Sequence, residues 1–394
     1  MNPGERPFDN YRTAITDPPQ FFGRDEWLGE MRRAPFWVRV LLGGRRLGKT
    51  SALRAVEWSL LDLGGSRANR PFPVFISLEL EQPSDLPNFL FILVDQLQRA
   101  LDRWRQSPWE DIRKTYRTFL GHVSQVEVTF RFLKAVLRNP PSEPRLALND
   151  FREALQRAID ELRKLDFHGV CFLLDEAEFI VRQSWANDCW AYFRGLKDTD
   201  MAIKPFLGLV ISGYRGVAEY QQRAGSDLQN IAHVHWLNTL SEGDARSLIA
   251  KRASSERRQL PDEEVTRVIE WAGGHPFLTQ QMLNHLLDAI RAGKSLPDDK
   301  LMLLMLGQHD HNFSAWWNVS GETDGFSEAD RRVYRVLAER REASLAELAT
   351  HAGVSALQAH RSLTVLAGTG VILQLDEERY RMGARLFEEW VIQQ

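Results

Sequence analysis

The 394-residue sequence has little cysteine and no long apolar run. Its two cysteines, Cys171 and Cys189, lack the spacing of metal ligands, which indicates two buried free thiols in a reducing compartment. The longest fully apolar runs, 89–94 and 301–306, fall far short of the roughly 20 residues that a membrane span needs. The N-terminus is polar and lacks the apolar core of a signal peptide. We therefore predict a soluble, cytoplasmic protein with no membrane partner.

The sequence also lacks a strong excess of charge of one sign. Its formal net charge is -3, which argues against a surface built throughout to bind nucleic acid or anionic lipid. A local basic patch remains compatible with this balance. Hydrophobic residues make up 43% of the chain and charged residues 26%, a balance typical of soluble globular proteins. The length fits about two or three such domains.

Short apolar runs alternate with helical patterns in the first 240 residues. Strands are predicted at 37–42, 73–78, 170–174, 206–211 and 232–237, and a hairpin or edge strand at 125–132. The continuously apolar run at 170–174 is typical of a strand buried on both faces of a parallel sheet. Because such alternation calls for right-handed crossovers, we predict an α/β fold with an open parallel sheet.

Strand patterns are absent between 237 and about 370, where helical patterns dominate. Helices are predicted at 241–253 and 261–292, and the polar, aromatic stretch around 307–325 predicts a linker. Three further helical patterns precede two short strands at the C-terminus. The predicted organisation is a lead-in at 1–20, an ATPase core at 21–238, a helical lid at 239–305, a linker at 306–325 and a winged helix-turn-helix domain at 326–394.

The most specific motif is Gly43-Gly44-Arg45-Arg46-Leu47-Gly48-Lys49-Thr50, which fits G-x-x-x-x-G-K-[ST] and lies between a predicted strand and a predicted helix. Its glycines let consecutive N–H groups point at phosphate oxygens, and the helix N-terminus adds its dipole. Lys49 would bridge the β- and γ-phosphates, and the Thr50 hydroxyl would be a Mg²⁺ ligand. We predict that this P-loop, extended to Ser51, binds ATP or ADP.

A second motif places carboxylates at the end of the apolar run 170–174. Asp175 can hold the Mg²⁺ shell, and Glu176 can polarise the attacking water. The alternative is that the pair merely caps the next helix. With a P-loop upstream we favour the catalytic interpretation, while Glu178 is predicted to be a solvated helix residue.

A third, weaker segment, Ser212-Gly213-Tyr214-Arg215, follows the strand predicted at 206–211. Ser212 could bond the phosphate or the lytic water, and Arg215 could supply positive charge there. The alternative is an ordinary turn with a surface arginine. Arg194 and Lys197, on the preceding helix, are alternative cations that could reach into a neighbouring subunit.

With Phe21-Phe22-Gly23-Arg24, the GKT loop, the acidic strand end and Gly274-His275-Pro276 in this order, the chain resembles the STAND class of AAA+-related ATPases. It is also similar to the archaeal ATPase family and to archaeal and eukaryotic replication initiators. The resemblance implies that Phe22, Gly23 and Arg24 lie at the adenine end, and that Pro276 packs on adenine or ribose. It also places Arg215 where a sensor arginine stands, although Gly213 and Tyr214 interrupt the usual Ser-Arg pair.

This resemblance implies a molecular switch that binds ATP and hydrolyses it slowly. STAND proteins usually add an effector and a repeat array, whereas this sequence begins near the F-G-R box and stops after the predicted wing. We therefore expect the trigger and the output to come from a homo-oligomer formed in the ATP state, from a separate effector or sensor protein, or from the winged helix.

DNA binding by the winged helix is an open alternative, as in initiators and transposition regulators. The helix after Gly353-Val354-Ser355 would expose Gln358, His360, Arg361 and Thr364, which can read base edges. The segment from 326 has nine arginines, no lysine and ten acidic residues, so it lacks a broad positive field. In STAND proteins the winged helix is commonly an internal clamp on the ADP state.

Overall fold

The computed structural model describes residues 14–15, 20–61, 70–106, 144–223, 225–318 and 325–394. The hairpin or edge strand predicted at 125–132 lies outside the described residues. The described residues form two compact units. The first unit combines those up to Arg24 with Leu42–Ser51 and Trp236–Gln394, and the second combines Asp25–Leu41 with Ala52–His235.

A five-stranded parallel sheet with strand order β2-β3-β4-β1-β5 confirms the predicted α/β fold class. Its strands are β1 (Val38–Leu42), β2 (Phe72–Ser77), β3 (Val170–Asp175), β4 (Leu207–Gly213) and β5 (Ala232–Trp236). Strand β3, which lies between β2 and β4, is buried at every position, as its uninterrupted apolar run predicts. In the register, Ser77 of β2 lies opposite Asp175 of β3, so these two strands end together.

Helices connect the strands and cover the sheet. Those preceding the end of β5 are α1 (Asp25–Arg33), α2 (Lys49–Leu61), α3 (Leu78–Glu81), α4 (Leu86–Gln106), α5 (Pro144–Arg163), α6 (Glu178–Val181), α7 (Ala186–Asp198), α8 (Arg215–Gln221) and α9 (Asp227–Ile231). In α5, Phe151, Leu155, Ile159 and Leu162 recur at helical spacing and are all buried, which explains how this helix packs.

Four helices follow the sheet: α10 (Glu242–Ser255), α11 (Asp262–Ala272), α12 (Pro276–Arg291) and α13 (Asp298–Trp317). The break between α11 and α12 has local causes. Gly273 ends α11 with a left-handed φ of 60°, and Pro276 occupies the first turn of α12, where its missing N–H costs nothing.

The prediction of a linker at 306–325 is wrong for residues 306–317, because these residues belong to α13. Leu301, Met305, His309, Phe313 and Trp316 recur at helical spacing and are buried, so this polar and aromatic stretch packs one face into the core. The composition suggested a linker because a histidine and tryptophans replace the usual aliphatic residues of such a stripe. Residues 319–324 lie outside the described residues.

The C-terminal region, residues 326–394, combines four helices with a small antiparallel sheet of order β6-β8-β7. The elements are α14 (Glu328–Arg340), β6 (Glu342–Ser344), α15 (Leu345–Ala352), α16 (Ala356–Ala367), β7 (Ile372–Gln374), β8 (Arg379–Met382) and α17 (Arg385–Ile392). Ser327, Ser344 and Ser355 each form a capping box at the start of a helix. The sequence predicted β7 and β8 but neither β6 nor α17.

Two further observations concern Cys171, Cys189 and the helices. Both cysteines are free and buried, as predicted. Within the part of the chain that the structure describes, no helix is long and apolar enough to cross a membrane.

Candidate nucleotide site

The P-loop joins β1 to α2, as its motif predicts. Gly48 has a left-handed φ of 97°, a conformation that only glycine adopts readily, and it allows the backbone to turn into α2. Lys49 is the first residue of α2, and its Nζ donates to the carbonyl oxygens of Gly43 at 2.7 Å and Gly44 at 3.0 Å. The ammonium group therefore lies over the loop, and Thr50 follows it in the first helical turn.

The side chains around the loop differ in exposure. Leu47 is buried, whereas Arg45 and Arg46 are exposed. The guanidinium carbon of Arg46 lies 5.0 Å from the centre of the Phe277 ring at the start of α12. Ser51 is buried, and its Oγ accepts a hydrogen bond from the Ile15 N–H at 3.0 Å. Its hydroxyl thus contacts the backbone of Ile15.

The turn between α16 and β7, residues 368–370, lies against the P-loop. The Gly44 N–H donates to the Gly368 carbonyl oxygen at 2.6 Å. A Cβ added to Gly44 would lie 2.8 Å from Thr369 Cα, and one added to Gly370 would lie 3.3 Å from Leu47 Cδ1. The first of these contacts is with backbone and requires glycine at position 44, whereas at position 370 the left-handed φ of 80° favours glycine. The C-terminal region therefore contacts the P-loop directly.

The F-G-R box is packed beside α10. Arg24 has a left-handed φ of 71° and donates from Nη1 to the Thr239 carbonyl oxygen at 3.2 Å and from Nη2 to that of Asn238. Burial lowers the pKa of Arg24 to about 10, against the opposing effect of Asp244. Phe22 packs against the core of the first unit. This box therefore fixes the backbone that enters α10.

The segment Gly274-His275-Pro276, the G-x-P box, contributes a buried histidine to which no role was assigned from the sequence. His275 is fully buried and stacks on Trp316 with ring centres 5.2 Å apart. Neither of its ring nitrogens has a hydrogen-bond partner among the described residues. Burial lowers the pKa of His275 to about 3, so the ring is neutral at pH 7. A Cβ at Gly370 would lie 3.0 Å from this ring.

The acidic motif lies where β2, β3 and β4 end, in the second unit. Asp175 and Ser212 are buried, and the Ser212 Oγ donates to Asp175 Oδ1. The same Oγ accepts from the Glu176 N–H at 3.3 Å, and the Ser77 Oγ donates to Glu176 Oε2 at 3.1 Å. The structure thus brings together Asp175, Glu176 and Ser212, with Ser212 bonded to both acidic residues. It adds Ser77, whose only signal in the sequence is its place near the end of a predicted strand.

Glu176 has an unusual backbone and an unusual acidity. Its φ of 63° is left-handed, a backbone conformation that costs about 1–3 kcal/mol for a residue other than glycine. Burial is the largest cause of a pKa raised to about 7, followed by a hydrogen bond with Glu79 and the charge of Asp175. A carboxyl group with this acidity can exchange a proton near neutral pH.

The neighbouring residues depart partly from the predictions. Glu178 is half-buried and accepts a hydrogen bond from the Tyr214 N–H, so the prediction of a solvated residue is wrong. This bond holds the segment that follows Ser212 against α6. Arg215 begins α8, where its Nε donates to Glu219 Oε1 at 2.9 Å within the same helix.

The alternative cations on α7 have structural partners. Lys197 Nζ donates at 2.7–2.8 Å to three backbone carbonyl oxygens, those of Phe36, Lys204 and Leu207. Burial lowers its pKa to about 8. Arg194 pairs with Asp227 and, at 3.4 Å, with Asp198. Because Lys197 is bound inside its own unit, the idea that it reaches a neighbouring subunit is wrong.

Among the described residues, no group of three or more His, Cys, Asp or Glu side chains could hold a metal ion. The segment His309-Asp310-His311 lies within α13. His309 is buried against Phe277, with ring centres 5.2 Å apart, and Asp310 accepts from Trp390 Nε1 at 2.8 Å. His309 and Asp310 therefore take part in helix packing, whereas His311 is exposed.

Comparisons with known proteins bear on the fold. No protein-family model and no curated protein matches the sequence. The structure is similar to a Walker-type ATPase of Pyrococcus abyssi, with 14% identity, coverage of 96% of this chain and 98% of that one, and a TM-score of 0.57. It is also similar to the Aeropyrum pernix ORC2 protein in ADPNP–ADP complexes, with 12% identity, 98% coverage of each chain and a TM-score of 0.52. The chain therefore has the fold of AAA+-like P-loop NTPases.

Proposed function

We propose that this protein is an ATP-binding, slowly hydrolysing molecular switch of the STAND type, in which the nucleotide state sets the position of a C-terminal winged helix. The observation that carries this proposal is the contact of the 368–370 turn with the P-loop. A loop that binds phosphate and also touches the C-terminal region through Gly44 cannot change conformation without affecting that contact. The winged helix would thus act as the internal clamp.

The nucleotide of this proposal is a magnesium complex. The Thr50 hydroxyl and the Asp175 carboxylate are oxygen ligands of the kind Mg²⁺ prefers, and Mg²⁺ usually completes its shell with water and phosphate. When bound, the ion neutralises charge on the phosphates. Lys49 and the loop N–H groups would hold the phosphates, and Glu176 would orient and deprotonate the attacking water. Ser212 would hold Asp175 and Glu176 in place through its hydrogen bonds to both. Arg24 and Pro276 would lie near the base.

Weakening the clamp should speed nucleotide release. Gly368 has a helical φ of −66°, so alanine suits its backbone, but the added Cβ would lie 2.3 Å from Trp236 Cε3. Such overpacking typically costs about 1–3 kcal/mol and would push the 368–370 turn away from Gly44. We expect Gly368→Ala to release a fluorescent ADP analogue about tenfold faster than the wild type in stopped-flow chase experiments.

The matched control is Gly307→Ala in α13, where an added Cβ meets nothing within 4 Å. This variant should release the analogue at the wild-type rate. A folded Gly368→Ala protein that releases ADP as slowly as the wild type would contradict the clamp, even if ATP binding itself were intact.

A second candidate function, duplex DNA binding, is favoured by one observation. On α16 the side chains of Gln358, His360 and Arg361 are exposed, and Thr364 is half-buried. Gln358 also completes the capping box with Ser355, so its side chain would have to leave that bond to read a base.

One experiment tests assembly and separates the two functions. We expect the mass measured by size-exclusion chromatography with light scattering to rise when ADP is replaced by a non-hydrolysable ATP analogue. Under the switch proposal this rise needs no DNA, whereas the initiator-like alternative predicts binding of a duplex at low salt that weakens steeply as salt rises. If the measured mass is the same with ADP and with the ATP analogue, the proposed assembly in the ATP state is wrong.

A further inference from the structure

A cavity beside the edge strand β5 contains a group of side chains that the proposed ATPase function does not use. Its volume is about 490 Å³, within the range of small-molecule sites. It lies wholly within the second unit, next to Trp37, the residue before β1. The side chains that matter are Glu30, Arg33, Trp37, Arg39, His233 and His235.

The cavity has an exposed aromatic stack. Trp37 is 50% exposed, which is unusual for so large an apolar ring. It stacks on His233 of β5, with ring centres 4.5 Å apart and an angle of 20° between the planes. His233 is exposed as well. Flat rings stacked at a solvent-facing cavity are the feature on which proteins stack nucleobases.

Positive charge adjoins this stack. Arg39 is buried, and its two terminal nitrogens donate to the side chain and the backbone carbonyl of Glu30 at 3.1 and 3.3 Å. Its Nε has no hydrogen-bond partner among the described residues. The guanidinium carbon lies 5.3 Å from the centre of the Trp37 ring. Arg33, on α1, is exposed and lines the same cavity.

The charges of the lining residues do not balance. Glu30 is the single carboxylate among them, against the guanidinium groups of Arg33 and Arg39. Burial is the main cause of a lowered pKa at Arg39, Glu30 opposes it, and the charge of Arg33 adds to it. An anion bound here would relieve the repulsion between the two arginines. Guanidinium groups bind phosphate, like carboxylate, in a bidentate manner.

We propose that this cavity binds one nucleotide, with its base on the Trp37–His233 stack and its phosphate at Arg33 and Arg39. The nucleotide can be a free monophosphate or one unit of a single-stranded nucleic acid. An extended peptide pairing with the edge of β5 would use backbone groups and would need neither the stack nor the arginines. The ring-and-cation pair therefore favours the nucleotide.

The test is fluorescence anisotropy of 5′-labelled dT20 with the full chain at low salt. We expect Trp37→Ala to weaken binding about tenfold, because stacking of a base on an aromatic ring is lost. Trp37→Phe should retain most of the affinity, since a ring remains. Arg33→Ala should weaken binding and make it less salt-dependent. The matched control is Arg32→Ala, which removes the adjacent exposed arginine of α1 outside the cavity.

Further arms distinguish the source of the nucleotide and the site. Competition by dTMP at concentrations similar to dT20 would identify a mononucleotide site, and competition by dT20 alone a single-strand site; both support the proposal. The Lys49→Ala protein should bind dT20 as the wild type does, because Lys49 does not line this cavity. A failure of the proposed ATP site would therefore leave the proposal for this cavity intact. The proposal is overturned if neither dT20 nor dTMP binds. It is also overturned if both Trp37→Ala and His233→Ala bind as the wild type does, or if an acidic peptide binds this cavity while dT20 does not.

Discussion

Replacing Glu176 with glutamine is expected to lower the rate of ATP hydrolysis by about 10²–10⁴-fold, the usual contribution of a general base. Glutamine keeps the shape of the side chain and can still bond to Ser77, so the left-handed backbone at this residue should persist. ATP binding should therefore change little. The measurement is single-turnover hydrolysis of radiolabelled ATP, together with the affinity for a fluorescent ATP analogue.

Two controls make the Glu176 result specific. Glu219→Gln changes an exposed carboxylate that pairs with Arg215 on α8, and it should hydrolyse ATP at close to the wild-type rate. Ser77→Ala removes the bond to Glu176 but leaves its carboxylate, so a smaller loss is expected. If Glu176→Gln hydrolyses ATP as fast as the wild type, Glu176 is not the base. If neither the wild type nor Glu176→Gln hydrolyses ATP or binds nucleotide, the protein is a scaffold that merely keeps the fold.

Replacing Lys49 with alanine should weaken Mg-ATP binding by about 10²-fold. In the structure Lys49 Nζ bonds to the carbonyl oxygens of Gly43 and Gly44, so the ammonium group is already held over the loop. A hydrogen bond to a charged group is worth about 1.5–3 kcal/mol, and loss of one from the phosphates corresponds to roughly 10–150-fold in affinity. Isothermal titration calorimetry with Mg-ATP and with ADP measures the effect.

The matched control for Lys49 is Lys251→Ala, an exposed lysine of α10 outside the loop. It should bind Mg-ATP with wild-type affinity. Unchanged affinity in a folded Lys49→Ala protein would refute the proposed nucleotide site. Lys49→Ala should also remove any difference in mass between the ADP and ATP-analogue states, because the switch would no longer sense the nucleotide.

The elements best predicted from the sequence are those whose patterns are local. The apolar run at 170–174 became β3, and the glycine-rich motif became a loop between β1 and α2. Elements with weak local signals were missed. Strand β6 has only three residues and is defined by its pairing with β8, which no local pattern records. The second half of helix α13 was predicted as a linker because histidine and tryptophan interrupt the aliphatic residues of its buried stripe.

In the candidate site too, the residues predicted from the sequence are those with a local pattern. Asp175, Glu176 and Ser212 were predicted because each stands at the end of an apolar run. Ser77 could not be chosen, because its role depends on the order of strands in the sheet. Its Oγ bonds to Glu176 because β2 pairs with β3 and both end in register.

The sequence by itself determined the P-loop, the acidic strand end and the parallel α/β core, because these depend on residue type and spacing over short stretches. Only the tertiary structure decided that the 368–370 turn rests on the P-loop, that Glu176 takes a left-handed backbone, and that Trp37 stacks on His233. Each of these features joins residues distant in the chain or depends on such neighbours. Their cause is packing, which fixes close contacts that no local periodicity encodes.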